Sequence, residues 1–445
     1  MAPHKFIFIL LLVFALLPVP DSFGEAAPSG KLLKIVALSR HGVRSPTQSD
    51  KTLALWSTKT WPSWPVKRGE LTPRGFELVR AMWQNMRARM HDQGLFENSQ
   101  CPPPESIFVR SDIDERDQAT SRAILEGLAG KCRFGYAVTK DEIDPLFHPV
   151  KAGLYRFDPI SVATDVLEMT RGGFDHLQES LAGPMNLLNK ISGSPAPKLC
   201  AHFSLTPECL LVDIPNAVSV SPEGKDIHLV GGLSIASSMA EIFLLEYAQW
   251  PGVEAGWGQV NASTLAQVLP VHSRIFDVIN RAPVVAWARG SSLLLEMTAA
   301  LLGEHYDQRL NKAKLAVFVG HDTNIANLGG LLGIRWLPKG YPLNGIPPAS
   351  VLMFELWEQN GKKEVRVRFF AQKPEALHAP FVTGPDGKFD GYDALAHAPT
   401  EASVKSPPIV GQVRYDLEVF DALVRKVIAG APLAPEQTPP LVYPD

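Results

Sequence analysis

The sequence predicts an α/β protein with a mixed, mostly parallel sheet flanked by helices and an inserted, mainly helical cap. Two apolar runs, Leu32–Leu38 and Leu315–Val319, have the length and composition of buried strands. Between them apolar residues recur mostly at helical spacing, most clearly over Leu233–Tyr247. Strands that alternate with helices are typical of this fold class. The chain of 445 residues is long enough for two lobes.

The helical stretch and the strands that flank it divide the chain. A long predicted helix, Val284–Leu302, leads from the cap back to the second buried strand. We expect a signal segment at residues 1–24, an α/β catalytic domain at residues 31–155 and 285–445, and a helical cap domain at residues 156–284.

Later segments complete the predicted sheet. Two runs, Val351–Trp357 and Val365–Phe370, flank an Asn-Gly turn and predict an antiparallel hairpin, which makes the sheet mixed. In the second run valines alternate with Arg366 and Arg368, which predicts one buried face. The Trp- and Pro-rich segment 47–69 is expected to be a loop.

Composition excludes some partners. Apolar residues make up 45% and charged residues 20% of the chain, which is ordinary for a globular protein. The net charge of -3 gives no reason to expect nucleic acid or an anionic membrane as a partner. Affinity for a highly anionic ligand therefore requires a local basic patch.

The first residues are typical of a secretory signal. Lys5 precedes an apolar run, Phe6–Leu17, which is followed by small residues at Ser22 and Gly24. A bilayer span needs ~20 apolar residues, so this run is too short to cross one. We expect removal of residues 1–24 and a periplasmic or secreted protein; a retained amphipathic anchor is the alternative.

The chain has four cysteines, an even number that favours disulfides in an exported protein. Of the three possible pairings we expect the local one, Cys101–Cys132 with Cys200–Cys209. The rival is a metal site, but no C-x-x-C or H-x-x-x-H spacing is present. We predict no metal and no cofactor, since the arginines and histidines described below can supply the positive charge that a divalent ion would.

The first chemical motif follows the first buried strand and reads RHGVRSP over Arg40–Pro46. Arginine forks match phosphate oxygens, and Arg40 and Arg44 flank the histidine. Their positive charge favours a neutral, nucleophilic imidazole at His41. Gly42 permits a sharp turn. The alternative is a strand end with solvated basic residues.

A second motif, Gly320–Asn324, follows the second buried strand. Ligands bind at the carboxyl edge of open α/β sheets, where both motifs should meet. His321 can donate to a phosphate oxygen, and Asp322 can protonate a leaving alkoxide. The alternative is a purely structural histidine at a strand end.

With these motifs the chain resembles the histidine acid phosphatases, the two-domain branch of the histidine phosphatase superfamily. Within that branch it is most similar to the bacterial periplasmic phytases. The family has a phosphoglycerate-mutase-like sheet. The resemblance weakens beyond Trp336. It is carried by Arg40–Thr47 and Gly320–Asn324, and supported by Leu71–Gly75, Asp112–Arg116 and Met239–Leu245.

The resemblance implies roles for individual residues. His41 is the nucleophile, with the Gly42 carbonyl holding its other ring nitrogen, and Asp322 is the general acid. The expected phosphate clamp is Arg40, Arg44, Arg116 and His321. The expected substrate contacts are Thr47, Gln48, Glu241 and Arg289.

Some of these positions are ambiguous. Gln48 stands where the related phytases commonly have lysine, and Ser238 stands where methionine is familiar. Arg116 could form a surface ion pair, Arg289 could be a solvated helix arginine, and Glu241 could lie on an exposed helix face.

The function expected from the resemblance is phosphomonoester hydrolysis at acidic pH through a phosphohistidine, with inositol hexakisphosphate as substrate. A glucose-1-phosphatase-like or broad-specificity acid phosphatase is the alternative. A non-catalytic phosphate-ester binding protein would have a broken site, and a cytoplasmic phosphomutase conflicts with the signal segment. The expected partners are small-molecule phosphate esters, bound by a monomer without nucleic acid or membrane.

Overall fold

The computed structural model of the protein describes residues 30–97, 101–130, 132–380, 400–405, 413–432 and 441–442. The predicted signal segment lies outside these residues. The described strands are β1 Lys31–Arg40, β2 Ile107–Ser111, β3 Val138–Thr139, β4 Ala217–Val220, β5 Ile227–Val230, β6 Leu315–Gly320, β7 Arg335–Leu337, β8 Val351–Gln359, β9 Lys362–Ala371, β10 Thr400–Lys405, β11 Val413–Asp416 and β12 Leu441–Val442.

Some helices pack against the main sheet, and a long series of them, α4 to α12, lies in the sequence between β3 and β6. Within the described residues they are α1 Asp50–Trp56, α2 Pro73–Asp92, α3 Glu115–Ala129, α4 Pro159–Thr170, α5 Gly173–Ser180, α6 Ala182–Ser192, α7 Pro197–His202, α8 Gly232–Gln249, α9 Ala255–Gly258, α10 Ala262–Asn280, α11 Pro283–Leu302, α12 Gln308–Lys312, α13 Asp322–Leu331, α14 Pro374–His378 and α15 Leu417–Val427.

The main sheet has the strand order β2-β6-β1-β8-β9-β10-β7, with β11 also paired to β9. Strands β2, β6 and β1 are parallel, and the other pairs among the described strands of this sheet are antiparallel. The predicted mixed sheet with flanking helices is confirmed. It has more antiparallel pairing than the sequence indicated, because the hairpin β8–β9 recruits β10 and β11.

The two motif-bearing strands are neighbours. Strands β1 and β6 are parallel, with Arg40 opposite Gly320. Their apolar residues are buried on both faces, since helices cover the sheet on either side. Because the strands end in register, the residues that follow them emerge at one edge.

The predicted hairpin is present, and Asn360 and Gly361 both have positive φ in its turn. The prediction of a single buried face on β9 is wrong. Arg366 and Arg368 are both buried, because helix α2 covers this side. There Glu355 accepts from Arg368 at 2.9 Å.

The segment 47–69 is not entirely loop as predicted. Ser49 caps helix α1 by accepting from the Thr52 N–H at 3.1 Å. Downstream, helix α2 begins as the sequence indicates, with Thr72 as its N-cap and Pro73 at its first position.

The region predicted as a cap contains helices α4 to α10 and the two-stranded hairpin β4–β5. Its long helices α8 and α10 pack against each other. Residues Val43 and Leu78 from the sheet side share a hydrophobic core with Leu233 and Phe243 of α8. The division into two domains at residues 156 and 284 remains a prediction.

Both expected disulfides are confirmed, Cys101–Cys132 and Cys200–Cys209. Each closes a loop within the chain and so restricts the unfolded state. None of the described helices has the length and apolarity needed to cross a bilayer.

Candidate active site

The two sequence motifs meet at the carboxyl edge of the parallel strands. The His41 N–H donates to the Gly320 carbonyl at 2.9 Å. The imidazole rings of His41 and His321 have their centroids 5.7 Å apart and are inclined at 67°. Both rings line one cavity of about 360 Å³.

Two glycines let the turn after β1 pack closely. A Cβ at Gly42 would lie 2.7 Å from Cγ2 of Val79. One at Gly75 would lie 2.1 Å from the Val43 carbonyl oxygen, so helix α2 can touch the turn only without a side chain there. The turn that carries His41 is therefore fixed by backbone-to-backbone contact.

The His41 ring is held in one tautomer. Its Nδ1 lies 2.9 Å from the Gly42 carbonyl oxygen, which can only accept, so Nδ1 carries the proton and Nε2 has the free lone pair. Burial lowers the pKa of His41 well below its ordinary value, and the charges of Arg116, Arg40 and Arg44 lower it further. A neutral imidazole with Nε2 unprotonated is the form that can attack phosphorus.

The cavity contains most of the predicted site and several residues that were not predicted. Its polar lining is rich in cations and imidazoles. The lining residues are His41, Arg44, Thr47, Ile113, Asp114, Arg116, Glu142, Ile143, His148, Lys151, His321, Asp322 and Thr323.

Two arginines of the predicted clamp line this cavity. Burial lowers the pKa of Arg44 to about 10, and its Nε has no hydrogen-bond partner among the described residues. Arg116 pairs with Asp114 at 2.5 Å, and its Nη2 lies 3.4 Å from Nδ1 of His321. Arg116 is therefore no isolated surface residue, and its guanidinium borders the cavity beside His321.

Arg40 lies behind the cavity, not in its lining. Its side chain is fully buried, and its Nη2 donates to Asp322 at 2.8 Å and also to Glu241. Its Nη1 donates to the Ile346 carbonyl. This geometry makes Arg40 a buried charge that holds two carboxylates.

Asp322 begins helix α13 and lines the cavity. Burial would raise its pKa, but the positive charges of Arg40, His272 and Arg44 outweigh this and hold the pKa below its ordinary value. In the free protein Asp322 is therefore a carboxylate paired with Arg40.

Glu241 on α8 is buried, so an exposed helix face is excluded. Its Oε2 lies 3.4 Å from Nε2 of His272 on α10, and the Nδ1 of His272 lies 3.1 Å from the Ser237 hydroxyl. Ligand atoms of Glu241, His272 and Asp322 all lie within 4.8 Å of one another. The helices α8 and α10 thus place two titratable groups directly behind Asp322.

Asp112 connects two histidines at the other side of the cavity. Its Oδ2 lies 2.7 Å from Nε2 of His148 and 2.8 Å from Nε2 of His321. These distances are those of hydrogen bonds, so both imidazoles donate to the same carboxylate. Burial would raise the pKa of Asp112, but these two bonds hold it below its usual range.

The Asp112 bond determines how His321 can contact a phosphate. Because Nε2–H is directed at Asp112, the nitrogen that remains is Nδ1, beside Arg116. Donation from Nδ1 to a phosphate oxygen requires the imidazolium form. Burial lowers the pKa of His321 and Asp112 offsets this only in part, so a bound phosphate must itself favour the imidazolium. Asp112 is therefore a positioning residue for His321.

The predicted substrate contacts separate into four places: Glu241 lies behind Asp322, as described above, and the other three residues line different cavities. Thr47 lines the catalytic cavity. Gln48 lines a neighbouring cavity of about 700 Å³ together with Trp61 and Trp64. Arg289 lines a third cavity and pairs with Asp226 at 3.2 Å, so it is not a freely solvated arginine.

Sequence reasoning missed His148, Lys151 and His272, and gave Asp112 no role of its own. Asp112 lies in the acidic turn that includes Arg116, so its position after β2 was a usable signal. His272 lies on a helix with apolar residues at Val268 and Ile275, and nothing in that pattern distinguishes it from a packing residue.

The fold and the paired Arg-His and His-Asp strand ends are those of a histidine phosphatase. A family model described as histidine phosphatase superfamily (branch 2) matches residues 31–173 and 245–371. The chain belongs to this family.

Particular relatives are phytases and glucose-1-phosphatases. The chain is 33% identical to phytase AppA of Escherichia coli K12 over 79% of this chain and 83% of that protein. It is 25% identical to a glucose-1-phosphatase of Salmonella typhimurium, over 75% of this chain and 79% of that protein. The apo phytase of Hafnia alvei superimposes with a TM-score of 0.80 at 31% identity, covering 93% of this chain and 100% of that one. The same phytase bound to myo-inositol hexakis sulphate gives a TM-score of 0.77 at 30% identity, with the same coverage of both chains.

Proposed function

We propose that the protein is an acid phosphatase that hydrolyses phosphomonoesters through a phosphohistidine on His41, with inositol hexakisphosphate as its main substrate. The observation that carries this proposal is the fixed tautomer of His41 in a cavity that also contains Arg44, Arg116 and His321. Asp322 lines the same cavity as a proton source.

The first step transfers the phosphoryl group to the enzyme. Nε2 of His41 attacks phosphorus, the N–P bond forms, and the bond to the alcohol oxygen breaks. Asp322 gives its proton to that oxygen, which would otherwise leave as a poor alkoxide. Arg44, Arg116 and His321 hold the other oxygens, and each such donor can contribute ~3–4 kcal/mol to the transition state in a site that excludes water.

The second step releases phosphate. Asp322, now a carboxylate, takes a proton from a water molecule that attacks phosphorus. The N–P bond breaks, His41 regains its lone pair, and inorganic phosphate leaves.

An acidic working range follows from the charge around Asp322. Arg40 favours the carboxylate in the free protein, whereas the first step needs the acid. A bound phosphate places negative charge beside Asp322 and favours its proton. Low pH acts in the same direction, so we expect the rate to fall as the pH rises.

The phytase assignment draws support from the named relatives and from the cations around the cavity. Phytases of Escherichia coli and Hafnia alvei are among the similar proteins, and the latter binds myo-inositol hexakis sulphate. A glucose-1-phosphatase is the second candidate, because the chain also resembles one. Phosphate release from inositol hexakisphosphate, glucose 1-phosphate and nitrophenyl phosphate distinguishes them; a higher kcat/KM for glucose 1-phosphate would replace the first assignment by the second.

The covalent route is tested with His41→Ala and Asp322→Asn. His41→Ala should abolish turnover and the acid-labile phosphohistidine that rapid quenching traps in the parent. Asp322→Asn should slow alkyl phosphates about 10²-fold or more and nitrophenyl phosphate much less, since nitrophenolate needs no proton to leave. Equal slowing of both substrates would contradict the role of Asp322.

The cellular setting belongs to the same proposal. Its support is the apolar segment Phe6–Leu17 and the two disulfides, which suit an oxidising compartment. We propose a periplasmic or secreted monomer with a cap domain at residues 156–284. N-terminal sequencing of the purified protein and its mass in solution test these points.

A further inference from the structure

We propose that Asp112, Asp117, His148 and His321 form a binding site for one divalent transition-metal ion beside the catalytic cavity. The ligand class is an ion that accepts both imidazole nitrogen and carboxylate oxygen, and Zn²⁺ is the probe. This inference goes beyond the proposed phosphatase function, because binding of the ion is measured without any substrate. The ion is not a cofactor of the proposed reaction.

The first observation is that two imidazoles converge on one carboxylate. Nε2 of His148 and Nε2 of His321 lie 2.7 Å and 2.8 Å from Oδ2 of Asp112. Ligand atoms of these three residues all lie within 4.8 Å of one another. The ligand atoms of a tetrahedral zinc site lie roughly 3.4 Å apart, so Asp112 needs to withdraw by less than about 1 Å to admit the ion.

The second observation is a buried carboxylate that has no hydrogen bond. The Asp117 side chain is fully buried, and neither of its carboxylate oxygens has a hydrogen-bond partner among the described residues. Its Oδ2 lies 3.7 Å from Nε2 of His321, within the same group of ligand atoms as Asp112. Nε of Arg116 lies 3.9 Å away, which is beyond hydrogen-bond distance. Burial of an unbonded carboxylate is costly, and a divalent ion beside His321 would give Asp117 a partner.

The third observation is that the ligands are accessible and already arranged. His148 and His321 line the catalytic cavity, whereas Asp112 and Asp117 are buried behind it, so an ion can reach the imidazoles from the cavity. The other oxygen of Asp112, Oδ1, accepts from the Ile113 N–H at 2.8 Å, which fixes the plane of the carboxylate. The ligand set therefore needs little rearrangement when an ion arrives.

The ligand types select the metal. Two imidazoles and two carboxylates suit zinc and its neighbours among the first-row transition metals. Calcium and magnesium take oxygen ligands, and half of the donors here are nitrogen. We therefore expect the site to bind zinc and to discriminate against calcium.

A second group of titratable side chains is a poorer cation site. Ligand atoms of Glu241, His272 and Asp322 also lie within 4.8 Å of one another. This group offers one imidazole, and Arg40 already binds both of its carboxylates. A cation would have to displace the Arg40 guanidinium, so we expect the ion at Asp112 and not here.

The test measures zinc binding directly. The full-length protein is titrated calorimetrically with zinc chloride alone, in a buffer that does not chelate zinc, for the parent, His148→Asn and Asp117→Asn. The first variant removes one imidazole, and the second keeps the shape of the side chain while removing its charge. His176→Asn is the matched control, because His176 is an exposed histidine outside these groups of ligand atoms.

We expect the parent to bind one zinc ion. The Kd should rise about tenfold or more in each of His148→Asn and Asp117→Asn and change less than about twofold in the control, since even the partners of metal ligands are worth about 10–100-fold in affinity. Calcium chloride should give no comparable binding. A parent that bound no zinc, or an unchanged Kd in either variant, would overturn the site.

Kinetics give an independent readout. An imidazole bound to zinc through Nε2 carries at most one ring proton, so the imidazolium form of His321 that the proposed mechanism uses cannot form. Zinc should therefore slow hydrolysis of nitrophenyl phosphate, and His148→Asn should need about tenfold more zinc for the same inhibition. Full activity of the parent at saturating zinc would overturn the placement of the ion on His321. If instead the parent released no phosphate from any ester while still binding zinc through His148, the phosphatase function would fail and the metal site would remain.

Discussion

Arg40 binds two carboxylates at once behind the catalytic cavity. Its Nη2 donates to both Glu241 and Asp322, so the two acids share one positive charge. Burial would raise the pKa of Glu241, and Arg40 and His272 hold it below its usual value. The proton affinity of Asp322 thus depends on Arg40 and Glu241, neither of which lines the catalytic cavity.

The change Glu241→Gln tests this dependence. Glutamine removes a negative charge beside Asp322 and leaves Arg40 to pair with Asp322 alone, and both effects lower the pKa of Asp322. Because the first step needs protonated Asp322, the alkaline limb of the kcat/KM profile should move to lower pH. The measurement is the pH profile with an alkyl phosphate, whose cleavage depends on the acid.

Glu246→Gln, on the same helix but away from this cluster, is the control and should leave the limb in place. If the alkaline limb of the kcat/KM profile stayed in place or moved to higher pH in Glu241→Gln, Glu241 and Asp322 would not share the charge of Arg40 as described.

A local signal in the sequence locates the two residues proposed to react, but not every residue that supports them. His41 and Asp322 directly follow strands, so the end of an apolar run locates them. Asp112 and His272 act through other side chains, and their importance depends on distances that arise only when β2, α10 and α13 pack together. The position of Asp112 after a strand gives a local signal for it, but no local pattern in the sequence distinguishes His272.

Among the elements, β9 shows where periodicity misleads. Alternating valines and arginines indicate a strand with one solvent-exposed face. In the structure helix α2 covers that face, and Glu355 forms an ion pair with Arg368 there. The opposite case is α2 itself, whose start follows directly from Thr72 and Pro73. Capping depends on neighbours in sequence, whereas burial of a face depends on which distant element covers it.

Helix α8 contains a second buried acid, Glu246, whose Oε2 accepts from the Gly256 N–H at 2.9 Å. Burial raises its pKa to about 7. The folded protein therefore favours the protonated form of Glu246. The free energy of unfolding that this form contributes is fully present below the unfolded pKa of about 4.5, and it is lost as the pH rises to about 7. At neutral pH this loss is on the order of 3 kcal/mol.

Glu246→Gln should therefore remove this pH-dependent loss. The variant, relative to the parent, should gain in free energy of unfolding between pH 4.5 and pH 8, as measured by denaturant titration at both pH values. The control is Glu254→Gln, because Glu254 is an exposed glutamate close in sequence to Glu246. If the free energy of unfolding depended on pH in the same way in the parent and in Glu246→Gln, ionisation of Glu246 would not destabilise the folded protein.

At the scale of the whole molecule, the sheet and the cap helices share one core. Val43 and Leu78 pack in the same hydrophobic cluster as Phe243 and Val268, and Arg40 of β1 pairs with Glu241 of α8. The apolar surface of this cluster is buried only when the two parts are together. Separation of the two would expose both this cluster and the buried charges.

We therefore expect one cooperative unfolding transition despite the predicted two-domain organisation. Differential scanning calorimetry should give a calorimetric enthalpy equal to the van't Hoff enthalpy. Two resolved transitions, or a van't Hoff value well below the calorimetric one, would show that the cap melts independently.

The pairing of β1 has a kinetic consequence. Its partner strands are β6 and β8, in which Leu315 and Glu355 lie opposite Ile35. Both partner residues come more than 270 positions later in the chain, so β1 has no strand to pair with until they have been synthesised. During synthesis the strand that ends at the nucleophile thus remains unpaired until most of the chain has been made. Assembly of the catalytic centre is a late event, slowed by the entropy of closing so long a loop, and a chain cut short before β8 would leave one edge of β1 open to misassociation.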